Sequence, residues 1–133
     1  MHKKILAAGA FLGALAVAAG AFGAHGLQKA TTDEKIIHGF QTAAQYQFWH
    51  ALALLAVGII FSGPFSPRLL KWSAGCFIAG ILLFSGSLYL LSYLKISGSG
   101  LSSAVGPVTP LGGVFLVAGW LILAAALLRK KDS

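Results

Sequence analysis

Acidic side chains are almost missing from this chain: Asp33, Glu34 and Asp132 are the only three in 133 residues. None of them lies in a long apolar run. A carboxylate pair inside such a run, the arrangement glycoside hydrolysis needs, is therefore excluded. Proton coupling through a buried carboxylate, the usual relay of a membrane transporter, is disfavoured on the same ground. Cysteine is scarcer still. Cys76 stands alone, so no internal disulfide can form, and no Cys/His spacing suits a metal. Charged residues of both signs make up 10% of the chain, against about 25% in soluble domains. A surface so poor in charge needs lipid to cover it. Phosphate loop, dinucleotide fingerprint and nucleophile elbow are all missing. No cofactor, no metal and no catalytic residue is expected.

What is present is apolar, 57% of the residues, in four long runs. The first covers residues 5–24 without a charge, and about 20 residues span the hydrocarbon core. Its rival reading is a cleaved signal peptide, with Met1-His2-Lys3-Lys4 as the basic segment and Ala19-Gly20-Ala21 as the cleavage site. The full spanning length favours a first membrane helix. The second run covers residues 43–61. Ser62-Gly63-Pro64-Phe65-Ser66-Pro67 breaks it, and Ser66 before Pro67 reads as a helix cap followed by proline in the first turn. The third covers residues 69–94. A Gly/Ser-rich stretch, 95–107, reads as a flexible connector. Thr109-Pro110 repeats the cap-then-proline signal, and the fourth run covers residues 109–128. Residues 25–41 form the one long polar stretch. Thr31 and Glu34 offer a capping box, and Ile36, Ile37 and Phe40 alternate with polar neighbours. This predicts a separate amphipathic helix on the membrane surface, with Gly39 as its bend. The fold expected is all-α: one domain, 1–133, an up-and-down bundle of four transmembrane helices with that amphipathic segment outside.

The basic residues set an orientation. Lys3, Lys4, Arg68, Lys71, Arg129, Lys130 and Lys131 fall on one side, seven in all, and Lys29, Lys35 and Lys95 on the other. The positive-inside rule places the seven, with both termini, in the cytoplasm. The net charge of +7 therefore marks topology and lipid headgroups, not nucleic acid. Trp72 and Tyr93 fall near opposite ends of the third run, where aromatic belts belong.

Two sets of residues stand out inside the runs. Gly9 and Gly13 form a GxxxG pair, followed by Ala16, Gly20 and Gly23. Small residues let another backbone approach, so Gly9, Gly13 and Gly20 are predicted to pack against a neighbouring helix, either within the chain or in a homo-oligomer. The second set is polar. Thr42, Tyr46 and His50 recur at every fourth residue and share a helix face, with Gln47 beside them. Ser85, Tyr89 and Ser92 make a similar stripe on the third run. Counted outward, Ser85 and Tyr89 are expected level with His50 and Tyr46. His25 and Thr109 lie at the same end of the bundle. His25, Tyr46, Gln47, His50, Ser85, Tyr89 and Thr109 are thus the candidate ligand-binding residues. Such a cluster either ties helices together by hydrogen bonds or surrounds a lipid headgroup, a quinone-like molecule or an ion. A neutral histidine there could also exchange protons. Trp120, mid-way along the fourth run, reads as a packing or lipid-facing aromatic.

Four blocks carry a family resemblance: Gly20-Ala21-Phe22-Gly23-Ala24-His25-Gly26-Leu27, Tyr46-Gln47-Phe48-Trp49-His50-Ala51-Leu52-Ala53-Leu54-Leu55, Gly86-Ser87-Leu88-Tyr89, and Thr109-Pro110-Leu111-Gly112-Gly113 with Gly119-Trp120. In order and spacing, they resemble the YwdK/YgdD-like small bacterial membrane proteins, which have a short eukaryotic relative. The resemblance implies an integral protein of the bacterial plasma membrane. It implies no reaction, because that family is a domain of unknown function.

The leading expectation is a non-catalytic membrane protein that acts through lipids or partner helices, in membrane organisation or stability. Its expected partners are membrane lipids, with a second copy of itself or another membrane protein. The alternative is a carrier or channel for a small polar molecule or ion, built around His50. A weaker third is a membrane enzyme using His50 as acid or base. The topology is directly testable in a chain whose Cys76 has first become Ala. Single cysteines at Thr32 and Ser99 should react with an impermeant thiol reagent outside the cell, and those at Ser66 and Ser133 should not. The reverse pattern overturns the orientation.

Overall fold

The computed structural model describes residues 2–132; Met1 and the labelling position Ser133 lie outside them. The order is α1 (His2–His25), α2 (Leu27–Ala30), α3 (Glu34–Ile60), α4 (Pro67–Gly80), a π-helical turn (Ile81–Ser85), α5 (Gly86–Ile96), α6 (Ser102–Val105) and α7 (Val108–Leu128). Four continuous helical stretches are long and apolar enough to cross a membrane: His2–His25, Glu34–Ile60, Pro67–Ile96 and Ser102–Leu128. They pack as two helix pairs. α1 lies along α3, and α4 with the π turn lies along α7; α3 meets α5 and the π turn between them.

The polar stretch does not form a helix of its own. α3 begins at Glu34 and runs to Ile60, and Gly39 does not interrupt it. The reason is local. A single glycine costs a helix only about 1 kcal/mol, and no proline or second breaker follows it before the apolar run. The 27 residues of α3 measure about 40 Å at 1.5 Å per residue, more than the roughly 30 Å hydrocarbon core. The first turns of α3 therefore carry Glu34, Lys35 and His38 beyond the apolar layer. The cap also differs from expectation. Asp33, not Thr31, is the N-cap, its Oδ1 accepting the Lys35 N–H at 2.9 Å, while Thr31 Oγ1 accepts the Asp33 N–H at 3.1 Å.

Ser66 does cap α4, accepting the Leu69 N–H, with Pro67 in the first turn. Thr109 does not cap α7. That helix starts at Val108 behind Pro107 without a side-chain cap, because the Thr109 hydroxyl is engaged by Ser87, 2.5 Å away. The connector 95–107 contains the short turn α6, Ser102–Val105.

The apolar core sits toward the basic end. Leu54, Val57, Leu70, Phe77 and Ala126 have no exposed surface, and Ile5, Ala74, Leu116 and Leu123 join them. α1 buries Ile5, Gly9, Ala16 and Gly23. The expected stripe of Gly9, Gly13 and Gly20 is thus rotated. A Cβ on Gly9 would meet the Ala51 carbonyl oxygen and Leu55 Cγ at 3.0 Å, one on Gly13 only Ala51 Cβ at 3.8 Å, and one on Gly20 nothing within 4 Å. Gly9, Ala16 and Gly23 are seven apart, the repeat that stays on one face of a packed helix pair; Gly13 and Gly20 follow the same repeat about 40° around the helix from it. Closer small-residue contacts lie elsewhere, among them Gly112 and Gly119 on α7. Gly112 presses against the backbone of Leu83 and Phe84 in the π turn, and a Cβ on Gly119 would stand 2.7 Å from Phe77.

These contacts order the glycines by cost. Gly112→Ala should destabilise by about 1–3 kcal/mol or more, since backbone cannot yield as a side chain does. Gly9→Leu should lower the thermal midpoint in detergent, and Gly20→Leu should leave it unchanged. A Gly112→Ala midpoint equal to that of the parent chain would refute the close α7 contact.

Candidate functional site

The polar residues of the apolar layer fall into separate hydrogen-bonded groups. His50 is buried on α3. Its Nδ1 lies 2.6 Å from the Tyr46 carbonyl oxygen, and since a carbonyl only accepts, Nδ1 carries the proton. Nε2 is then the lone-pair nitrogen, and it accepts the indole N–H of Trp120 at 3.0 Å. Both nitrogens are occupied, and the ring is held neutral in one tautomer. An imidazolium would set an Nε2–H against the indole N–H, donor against donor. Around this pair the rings close up: Phe77 stands edge-on to Trp120 with centroids 5.1 Å apart, and Tyr46 stacks on His50 at 5.9 Å.

Gln47 faces the other way. Its Nε2 donates to the Leu12 carbonyl of α1 at 2.8 Å, and its Oε1 accepts the Tyr89 hydroxyl of α5 at 2.7 Å. One side chain ties three helices. Ser85 donates to the Ala43 carbonyl at 2.7 Å and Ser73 to the Gly119 carbonyl at 2.9 Å. Ser87 donates to the Phe84 carbonyl and shares a bond with Thr109. Among the described residues, no buried side-chain nitrogen or oxygen lacks a partner.

The seven candidate residues are therefore not one cluster. Gln47 and Tyr89 come together, as do Tyr46 and His50, while Ser85 and Thr109 each serve a different contact. His25 is exposed and joins none of them. The expected depth match is out by about two helical turns. The tight turn after Ile60 brings Pro67 opposite the end of α3, and counting back from there sets Phe77, not Ser85, beside His50. Their ring centroids are 5.7 Å apart. Ser85 is level with Ala43 instead.

Beside the His50–Trp120 pair, α3 and α7 diverge. A surface groove of about 790 Å³ runs between them. Tyr46, Trp49 and His50 form one wall, Val114, Val117 and Trp120 the other, and Phe84 is part of the lining. The lining is mostly apolar, and it offers no carboxylate and no cation. Chemically it can hold a hydrocarbon chain or another helix, not a charged solute. Among the described residues no group of three His, Cys, Asp or Glu side chains could hold a metal.

Comparison with known proteins agrees with a membrane protein. The model of the family described as "Protein of unknown function (DUF423)" matches residues 19–113. A UPF0382 membrane protein of Staphylococcus aureus is 39% identical over 127 residues, covering 96% of this chain and 97% of its own. The chain belongs to the DUF423/UPF0382 membrane protein family. YwdK of Bacillus subtilis is 39% identical over 130 residues, covering 96% and 98% of the two chains. A Schizosaccharomyces pombe member is 38% identical over 111 residues, covering 84% and 90%. No solved structure matches significantly.

The residue that sequence reasoning passed over in this family member is Trp120. Its place on α7 suggested packing against neighbours or lipid. The available signal was the indole N–H, a donor that seeks an acceptor when removed from water; His50 is the acceptor at its depth. Ser73 and Ser87 were missed for a similar reason, since an isolated serine in an apolar run gives no pattern.

A double-mutant cycle tests the His50–Trp120 bond. His50→Leu and Trp120→Phe should each destabilise the detergent-solubilised protein. The two should couple by about 0.6–1.7 kcal/mol, the range for hydrogen bonds between membrane helices. His50→Gln, which can still accept, should lose less than His50→Leu. Strict additivity would mean that the two side chains do not interact.

Proposed function

We propose that this chain is a non-catalytic protein of the bacterial plasma membrane, with both termini in the cytoplasm, that acts through lipids or partner helices in membrane organisation or stability. The carrying observation is the use of its polar groups. His50 has no free nitrogen, Gln47 has both ends of its amide engaged, and the serines are bonded to carbonyls or to Thr109. Proton exchange at a histidine needs a vacant ring nitrogen, and His50 has none; the amide and the serines are used in ties between helices.

The rest of the bundle supports the same reading. Toward the basic end Leu54, Val57, Leu70, Phe77 and Ala126 fill the centre completely. A channel or carrier needs a wet path to both surfaces, and this apolar plug lies across it. The faces turned outward are apolar instead: Phe11, Val17, Ile59, Leu82, Val114, Val117 and Leu121 are each exposed by more than half. With seven cations against three at the two ends, the positive-inside rule supports cytoplasmic termini.

Reconstitution into liposomes tests this. Vesicles carrying the protein should leak protons, potassium and small neutral solutes no faster than empty vesicles. A flux that the protein creates and His50→Leu abolishes would replace this reading with transport.

A further inference from the structure

The seam between α4 and α7 has a feature that the proposed function does not use. At the basic end the chain folds back on itself. Phe65 and Lys130 form an antiparallel bridge: the Ser66 N–H donates to the Arg129 carbonyl at 3.2 Å, and the Lys131 N–H to the Pro64 carbonyl at 2.9 Å. The tail after α7 is thereby clasped to the turn before α4. This brings Arg129 and Lys130 beside Arg68, 61 and 62 residues away in sequence, around a hollow of about 470 Å³. Ser66, Leu69, Trp72, Ile122 and Asp132 complete its lining. Three cationic side chains face one carboxylate there.

The hollow does not stand alone. Trp72, on its wall, also borders a second depression of about 350 Å³, lined by Lys71, Gly75, Cys76 and Phe115. This one lies deeper along the same seam and is almost wholly apolar. Gly75 leaves it open, since a Cβ there would meet nothing within 4 Å. Trp72 is 60% exposed at the level where indole rings lie between headgroup and chain. A basic hollow at the surface, leading past a tryptophan into an apolar slot, suits an amphiphile. A free anion would leave the slot empty, and a neutral lipid would leave the cations without a partner.

We propose that this seam binds one anionic phospholipid, its phosphate among Arg68, Arg129 and Lys130 and one acyl chain in the slot over Gly75. The inference rests on the lipid side of the reading above and names its chemical class. Arginine suits the role, because its planar fork engages phosphate oxygens in pairs. The backbone clasp holds Arg129 and Lys130 in place before the lipid arrives, which lowers the entropy lost on binding.

The test uses the full chain in a non-ionic detergent, with native mass spectrometry and thermal unfolding as readouts. The probes are phosphatidylglycerol and phosphatidylcholine of equal chain length, and inorganic phosphate. One phosphatidylglycerol per chain should be retained, in preference to phosphatidylcholine, and should raise the thermal midpoint. Replacing Arg68, Arg129 and Lys130 together by Gln should cut that retention about tenfold or more, basic groups near an anionic headgroup contributing several-fold each. These side chains are exposed, so the lipid-free midpoint should hold. Gly75→Leu, which has room for its side chain, should weaken lipid retention and also leave the lipid-free midpoint unchanged. Equal retention of the two lipids, or an undiminished lipid adduct in the triple variant, overturns this inference alone. An equal midpoint rise with inorganic phosphate overturns it in favour of a free-anion site. Retention of neither lipid overturns it together with the lipid side of the proposed function.

Discussion

Gln47 holds three helices at one point, and the rest of the bundle is arranged around the need for such ties. In lipid, no water is available to satisfy a polar group, and an unpaired one costs several kcal/mol. Nor does apolar surface drive one helix onto another, since lipid chains are as apolar as leucine. What selects a particular packing is therefore close backbone approach and the completion of hydrogen bonds. Gln47 bonds the Leu12 carbonyl and the Tyr89 hydroxyl in a single rotamer, which sets α1, α3 and α5 in one register. The Ser85 and Ser73 bonds do the same for α3 against the π turn and for α4 against α7.

The two ends of the bundle are held by different means. Toward the basic end the contacts are apolar and glycine-mediated, with Phe77 set against Gly119 and Leu6 against Gly58. Toward the other end they are polar, from Gln47 through Ser85 to the Ser87–Thr109 pair. The His50–Trp120 bond stands at the junction. It spans α3 and α7 where their backbones have already separated, so a long indole closes the gap that a small residue would leave open. The groove beside it and the α4–α7 seam both open the outline of the bundle. Their chemistry differs: the groove is mostly apolar and uncharged, whereas the seam ends in a cluster of cations.

Much of this was legible before any coordinates. The four apolar runs, the Ser66-Pro67 start and the polar character of α3 all depend on neighbours a few residues away, and local pattern reports those faithfully. Family membership was legible too, through blocks spread along most of the chain. The separate amphipathic helix was misread because capping signals and a glycine were weighed without asking what would stop the helix afterwards. Within the chain the buried stripe runs through Gly9, Ala16 and Gly23 and leaves Gly20 uncovered, because Gly9, Gly13, Ala16 and Gly20 are all small and only the partner helix tells them apart. The grouping of seven polar residues into one site failed for a related reason. Position along a helix was legible, but direction around it and register between helices were not.

By itself the sequence determined the class of the molecule: an apolar helical membrane protein, without the carboxylates, cysteines or phosphate loops that most chemistries need. These are matters of composition and short-range order, and folding cannot alter them. Only the tertiary structure decided what the polar residues do. His50 became a neutral, fully bonded group because Trp120, 70 positions later, lies at its depth. Arg68, Arg129 and Lys130 became one hollow because a backbone clasp joins the tail to a distant turn. Both outcomes depend on contacts between residues far apart in the chain. No local period encodes such contacts, because they arise only when helices of particular length and register are packed together.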